Sequence, residues 1–403
     1  MIDPSRVRMT GPLTPFKGGF AGELARRGYT PNSARQLLRL AAHLSRWLAG
    51  EGLGPGDLSP AVVERFFAAS PVAGHSNHRT SKALEPLLAY LRGLGAVPPE
   101  PTPAPEGPVE ELLWRYRRYL TVERGLTPET SRGYVDAVRP FLAGRLSAEG
   151  LDLGRLRPAD VTAFVVARCP RQARGAAKLT VTALRSLLGF LHLEGEVGQP
   201  LAQAVPSVAG WRLAGLPRRL GSGEVARLLA SCDRDTANGR RDFAILAALA
   251  RLGLRRGEVA ALALEDIDWR AGEIVVRGKG RRSERLPLPA DVGEAIAAYL
   301  RRGRPESAEG RVVFVRIKAP HRALSAGGVT MVVAAAARRA GLGTLHAHSL
   351  RHTAASETLR AGASLAEVGQ LLRHRRAATT AIYAKVDREA LRAIARPWPG
   401  VAR

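Results

Sequence analysis

A chain of 403 residues with 45% apolar side chains has room for two or three domains, each burying its own core. It lacks a run of about eighteen apolar residues to span a membrane and an apolar signal region at its N-terminus; its two cysteines, Cys169 and Cys232, are too isolated for a disulfide framework or a zinc site, so the cytoplasm is the expected compartment. The net charge is +25, and +17 of it falls in residues 201–403 (35 basic, 18 acidic), which points to a polyanionic partner, nucleic acid before others. A coding bias toward arginine would explain why only six of the 61 basic residues are lysine, but not why acids fail to balance them.

In chain order, the first feature is a repeat of roughly a hundred residues. "RRGYTPNSARQLLRLAAHLSRWLAG" (from Arg26) aligns with "ERGLTPETSRGYVDAVRPFLAG" (from Glu123), and "LLAYLRGLGAV" (from Leu87) with "LLGFLHLEGEV" (from Leu187). In each copy a Thr-Pro pair opens an apolar-periodic run, the pattern of an N-capped helix with proline in its first turn. A second start signal follows at Ser59-Pro60 and at Arg157-Pro158, so each copy reads as a bundle of about four helices.

"PPEPTPAPEGP" is an extended spacer between the copies, and "VPSVAGWRLAGLPRRL" a looser hinge after them. The expected division is a tail (1–19), a first helical repeat (20–97), a linker (98–108), a second repeat (109–205), a hinge (206–219) and a third block (220–403). That block opens with two helical patterns. Three short alternating runs follow in "DIDWRAGEIVVRGKGRRSERLPLP", a small antiparallel sheet, and then helices over 290–302, 325–340, 349–360, 365–372 and 388–394. The fold class is therefore mostly α with a small antiparallel β-sheet in the third block.

If the partner is DNA and the chain cuts it, a phosphodiester needs a nucleophile, positive charge on its non-bridging oxygens and an acid for the leaving oxygen. Glu265, Asp266 and Asp268 crowd together as metal-binding carboxylates would, yet their place between a helix and a strand suits turn capping better. Arginines offer a metal-free route, since the planar guanidinium grips phosphate oxygens in pairs and keeps its charge. Arg255 lies at a glycine-marked break, three residues before Glu258; Arg351 lies three residues after His348, on the same helical face. His348 and His352 are four apart but lack the acidic residue of a zinc-binding helix, and capping or core packing suits His346 and His352. Tyr383, one of seven tyrosines, stands nine residues after His374.

Together, "GLRRGEVAALALEDID", "VRGKGRRSERLPLP", "HSLRHTAASETLRAGASLAEVGQLLRH" and "ATTAIYAK" resemble, in order and spacing, the tyrosine recombinase (phage integrase) family over residues 220–396. The second repeat is similar to that family's helical, SAM-like core-binding domain. The resemblance implies a catalytic domain in which Tyr383 is the nucleophile that holds the DNA 3′ end. Arg255 and Arg351 would clamp the phosphate, Lys279 would protonate the leaving 5′-oxygen, His348 would assist proton transfer, and His374 would hydrogen-bond the phosphate. Glu258 would brace Arg255. It also implies site-specific cutting and rejoining of double-stranded DNA without cofactor, metal or ATP, by four protomers on two sites, with accessory DNA-bending proteins as further partners and no membrane. A non-catalytic architectural DNA-binding protein of the same fold and a type IB topoisomerase stay open as alternatives.

Two departures stand out. The family's Leu-Gly-His reads Leu372-Arg373-His374, which either strains the helix stop or adds a phosphate contact, and a histidine often found two residues past the tyrosine is Lys385. The first repeat has no counterpart in the usual single-domain arrangement. With nine basic and five acidic residues over 19–99, it reads as a second DNA-contacting module or as a packing domain.

Overall fold

The computed structural model describes residues 7–69, 81–99, 105–148, 150–208, 219–278, 283–374 and 377–386. The chain divides into two compact units, Pro101–Ala214 and a second comprising Met1–Glu100 with Gly215–Arg403.

In the larger unit, the first repeat contains α1 (Lys17–Arg26), α2 (Pro31–Gly50), α3 (Pro60–Ala69) and α4 (Glu85–Gly93). Thr30 caps α2, its side chain accepting the Ser33 backbone N–H at 3.3 Å, and Pro31 follows with the φ that a first helical turn requires. The inward face of α2 carries Ala34, Leu38, Ala41, Ser45 and Leu48 at the three-to-four spacing that puts them on one stripe. The repeat starts earlier than the sequence suggested. Met9 and Leu13, expected in a tail, are buried in its core, and the Leu13 N–H is satisfied by Ser45 Oγ at 3.0 Å. Within this unit the Gly28 turn (φ +77°) lies against Ser307 and His321, leaving no room for a side chain at Gly28.

The smaller unit repeats the plan with α5 (Pro108–Arg118), α6 (Pro128–Ala143), α7 (Pro158–Arg168) and α8 (Arg174–Leu193). Thr127 caps α6 on the Thr130 N–H at 3.3 Å, as Thr30 caps α2. At the second start signal the two copies use different chemistry. Ser59 Oγ receives the Val62 N–H in one, whereas the Asp160 carboxylate receives the Arg157 N–H in the other. A two-residue ladder, β1 (Leu146–Ser147) with β2 (Gly150–Leu151), lies between α6 and α7. The core gathers Tyr116, Phe141, Leu184, Leu187 and Leu191, and the Tyr116 hydroxyl donates to the Ala183 carbonyl at 3.2 Å.

The rest of the larger unit is built round α10 (Ala237–Arg251), whose residues Ala244–Ala250 are all buried. It packs against α9 (Ser222–Ala230), α11 (Arg256–Ala261), α12 (Ala290–Arg302), α13 (Ala326–Arg339) and α14 (Ala347–Arg360). A helix apolar on every side belongs at the centre of a bundle. β3 (Ile267–Asp268), β4 (Glu273–Arg277) and β5 (Ser283–Pro287) form an antiparallel sheet in that order, paired through Ile267 to Ile274 and Val275 to Arg285. The last helices among the described residues are α15 (Leu365–Leu371) and α16 (Ala377–Thr380), followed by a 3-10 turn over Ala381–Val386. The helix expected over 388–394 lies outside the described residues, as do residues 279–282 between β4 and β5. No helix among the described residues is long and apolar enough to cross a membrane.

Candidate active site

Arg255 is the N-cap of α11. Its backbone N–H donates to Glu258 Oε2 at 2.8 Å and its Nη1 to Oε1 at 2.5 Å, so one carboxylate fixes both the backbone and the side chain. Glu258 is buried. Burial raises its pKa, but the Arg255 backbone bond and the Arg373 charge more than offset this and hold it below the ordinary carboxylate range.

Arg351, on the second turn of α14, is only 2% exposed. Its Nη1 donates to the Gly253 carbonyl at 2.5 Å and its Nη2 to the Leu372 carbonyl. Burial first, then the like charges of Arg255 and Arg373, push its pKa down to about 10, so it remains a cation at neutral pH. Gly253 makes this approach possible. It has φ +58°, and a Cβ there would lie 3.0 Å from Leu372 Cδ2 and 3.4 Å from Ala354 Cβ. Arg255 Nη2 also faces the carbonyls of Leu372 (3.5 Å) and Arg373 (3.3 Å), so both guanidinium groups converge on the end of α15.

Next to them is a cavity of about 350 Å³, lined by Arg255, Arg256, Thr330, His346, His348 and Arg351 among others. Burial, then Arg351 and Arg255, lower the His348 pKa, which favours the neutral ring there. The cavity thus brings together three of the residues singled out by spacing: Arg255, His348 and Arg351.

Tyr383 does not line the cavity. It is 1% exposed and packs with Ala355, Val368 and Leu372, while its hydroxyl meets His352 Nδ1 at 2.7 Å. His352 is four residues along α14 from His348, and their ring centroids are 4.3 Å apart. His374 stacks on the tyrosine ring at 6.4 Å with an interplanar angle of 10°, and its Nδ1 pairs with Thr380 Oγ1 at 2.8 Å. Burial pushes the pKa of His352 down to about 4, aided by His348 and Arg351; His374 also falls to about 4, through burial and then Arg351 and Arg255. A neutral His352 has one ring nitrogen able to accept a hydrogen bond, and its Nδ1 is the atom in contact with the phenol. Burial lifts the Tyr383 pKa to about 12 against the opposing pull of Arg351, so this conformation holds the phenol protonated.

Lys279 belongs to the β4–β5 connection and lies outside the described residues. Glu265, Asp266 and Asp268 all have partners. Glu265 pairs with Arg311 at 3.1 Å, Asp266 takes the Ala263 N–H and the Arg277 guanidinium, and Asp268 caps the Arg270 and Ala271 N–H groups. Two residues make contacts that spacing does not reveal. His352, expected to cap or to pack, lies on the His348 face and packs on the tyrosine. Arg373, expected either to strain the helix stop or to add a phosphate contact, turns inward, with Nη2 on Glu258 Oε2 at 2.8 Å and only 9% of the residue exposed, and the strained helix stop is what the fold shows. Its φ of +54° puts a non-glycine residue in the left-handed region, at a cost of about 1–2 kcal/mol.

The model of the phage integrase family matches residues 218–390, and that of the phage integrase N-terminal SAM-like domain matches residues 113–195. A protein of Sinorhizobium fredii, y4rA, named as an integrase/recombinase, is 45% identical over 98% of this chain and 96% of its own. The tyrosine recombinase XerC of Oceanobacillus iheyensis is 32% identical over 70% of this chain and 94% of its own. The chain belongs to the tyrosine recombinase (phage integrase) family. The crystal structure of the XerH site-specific recombinase bound to palindromic difH substrate, a post-cleavage complex, shares the fold with a TM-score of 0.57, at 18% identity over 72% of this chain and 96% of that one. By that membership this tyrosine recombinase is an enzyme of site-specific DNA recombination.

Proposed function

We propose that this recombinase cuts and rejoins double-stranded DNA through a 3′-phosphotyrosyl ester on Tyr383. The Tyr383 oxygen attacks the scissile phosphorus, the P–O5′ bond breaks, and the 5′ end leaves as a hydroxyl. Arg255 and Arg351 stabilise the charge that grows on the non-bridging oxygens. His374, with Nδ1 engaged by Thr380, has Nε2 to donate to one of those oxygens. The phenolic proton passes to the histidine pair of α14, His352 or its neighbour His348, and Lys279 protonates the departing oxygen. Rejoining is the same step reversed, so no ATP enters the balance, and the two arginines supply the charge stabilisation that a metal gives in other nucleases.

The observation that carries this reading is the convergence of Arg255, Arg351 and the tyrosine segment on one short stretch, Leu372–His374. The phenol has to leave the His352 pocket to reach a phosphate in the cavity. It then exchanges an apolar surrounding for a cationic one, which favours phenolate. Two duplexes exchanging both strands need four cuts, hence four protomers on two sites. The two helical repeats and the surplus of positive charge in residues 201–403 supply contacts along the DNA, with DNA-bending proteins as accessory partners.

The recombination site can be recovered with the protein itself, by covalent capture from a randomised duplex library carrying a single nick. On a recovered nicked duplex, the full chain should give a protein–DNA band that survives denaturation and EDTA, and Tyr383→Phe should abolish it. A band that persists in the phenylalanine variant refutes the nucleophile, and one that needs magnesium refutes the metal-free chemistry.

A further inference from the structure

We propose that Arg373 is a positioning residue for Arg255: it shares the Glu258 carboxylate, holds it behind the clamp and keeps the three-residue cluster cationic. The inference rests on the reading of Arg255 as a phosphate clamp and adds a residue that the motif pattern leaves out.

Three contacts support it. Glu258 divides its oxygens between two guanidinium groups, with Oε1 on Arg255 Nη1 and Oε2 on Arg373 Nη2 at 2.8 Å. Arg373 also receives Arg255 Nη2 on its own backbone carbonyl at 3.3 Å, so it holds Arg255 from two directions. Its Nη1 donates to the Leu371 carbonyl at 2.8 Å, pinning the side chain back along the helix it terminates.

The charge balance explains why an arginine sits here despite its backbone conformation. Paired alone, Arg255 and Glu258 form a neutral couple, and a carboxylate 2.5 Å from a guanidinium competes with an incoming phosphate for it. A second buried cation on the same carboxylate draws charge away from Arg255 and leaves the cluster at +1. Both Glu258 and Arg373 have side chains only 4% exposed, so water screens this effect little. Arg373 Nε is buried without a partner, a cost with no evident structural return, in keeping with a side chain placed for charge. Position 373 also lies in the link between α15 and the tyrosine segment. The same residue that balances Glu258 therefore sets where His374 and the tyrosine segment begin.

The test uses the full chain and the nicked duplex recovered with the wild-type protein. It compares wild type, Arg373→Gly, Arg373→Lys and Arg255→Ala, each first checked for an unchanged melting transition. Glycine suits a φ of +54° better than arginine does, so Arg373→Gly removes the charge without straining the turn. The rate of covalent complex formation at saturating DNA is measured on the ordinary phosphate and on a methylphosphonate at the scissile position, which removes one non-bridging charge. Arg373→Gly should slow the phosphate reaction by at least about fivefold, with a clearly smaller loss on the methylphosphonate, and Arg373→Lys should recover part of the rate. A smaller loss on phosphate, an equal loss on both substrates, or no recovery by lysine overturns the inference. If Arg255→Ala leaves the phosphate rate unchanged, the clamp reading itself falls; if only the Arg373 variants are silent, that reading stands and the inference alone is lost.

Discussion

In the proposed chemistry Tyr383 is the nucleophile, and the fold holds it as a buried phenol between two histidines. The phenol is hydrogen-bonded to His352 beside Ala355, Val368 and Leu372, and burial raises its pKa to about 12. The two histidines that flank it have folded pKa values near 4 against 6.5 for a free ring, so the unfolded chain binds protons that the folded one refuses. Their stabilising contribution is complete above about 6.5 and is lost as the pH falls toward about 4. Melting curves between those limits should show the catalytic part losing stability, and His352→Gln with His374→Gln together should flatten that fall. Equal slopes in wild type and the double variant would mean the two rings titrate freely in the fold. At this scale the sequence was informative about which residue types matter and less so about their contacts. Motif spacing singles out Arg255, His348, Arg351, His374 and Tyr383, and the fold sets the first three round one cavity. The pairing of His352 with a tyrosine 31 residues away depends on how α14 meets the last described turn, which no local spacing encodes.

At the scale of elements, three helix ends create the site. The N-terminus of α11 presents Arg255, the turn at Gly253 admits Arg351, and the C-terminal end of α15 supplies the carbonyls on which both arginines rest. Gly253 is the tightest of these joints. Gly253→Ala should cost about 1–2 kcal/mol for its left-handed backbone, with more from the displaced Leu372, and should slow covalent capture by moving the Leu372 carbonyl away from Arg351. Chemical unfolding followed in the catalytic part, together with the capture assay, checks both; unchanged stability would show that the turn relaxes without effort. The helix starts were legible, because Thr30, Thr127, Ser59 and Pro158 announce themselves through capping chemistry. The burial of Met9 and Leu13 was not, because a short segment without periodicity looks the same whether it is packed or free. The inward turn of Arg373 was hidden for a related reason. Its partner Glu258 lies 115 residues away, and the sequence pattern predicts a glycine there.

For the whole molecule, charge governs affinity while the site governs chemistry. With a net charge of +25, binding to duplex DNA should weaken steeply with salt as phosphate contacts release counterions. A protein making about six to ten such contacts loses roughly 10³–10⁵ in affinity between about 50 and 200 mM salt. Titrations of the full chain should fall in that range, and a shallow salt dependence would assign the positive surplus to something other than DNA. Among the described residues, three large buried cores, spanning residues 9–97, 112–205 and 220–350, and a small fourth one round Tyr383 supply the scaffold on which that charge is displayed. The proposed recombination chemistry rests on Tyr383, and peptide mapping of the trapped complex tests that most directly. After nuclease and protease digestion, mass spectrometry should find the residual nucleotide esterified to the peptide containing Tyr383; a nucleotide on any other residue, or a complex that dissociates on denaturation, would contradict the account.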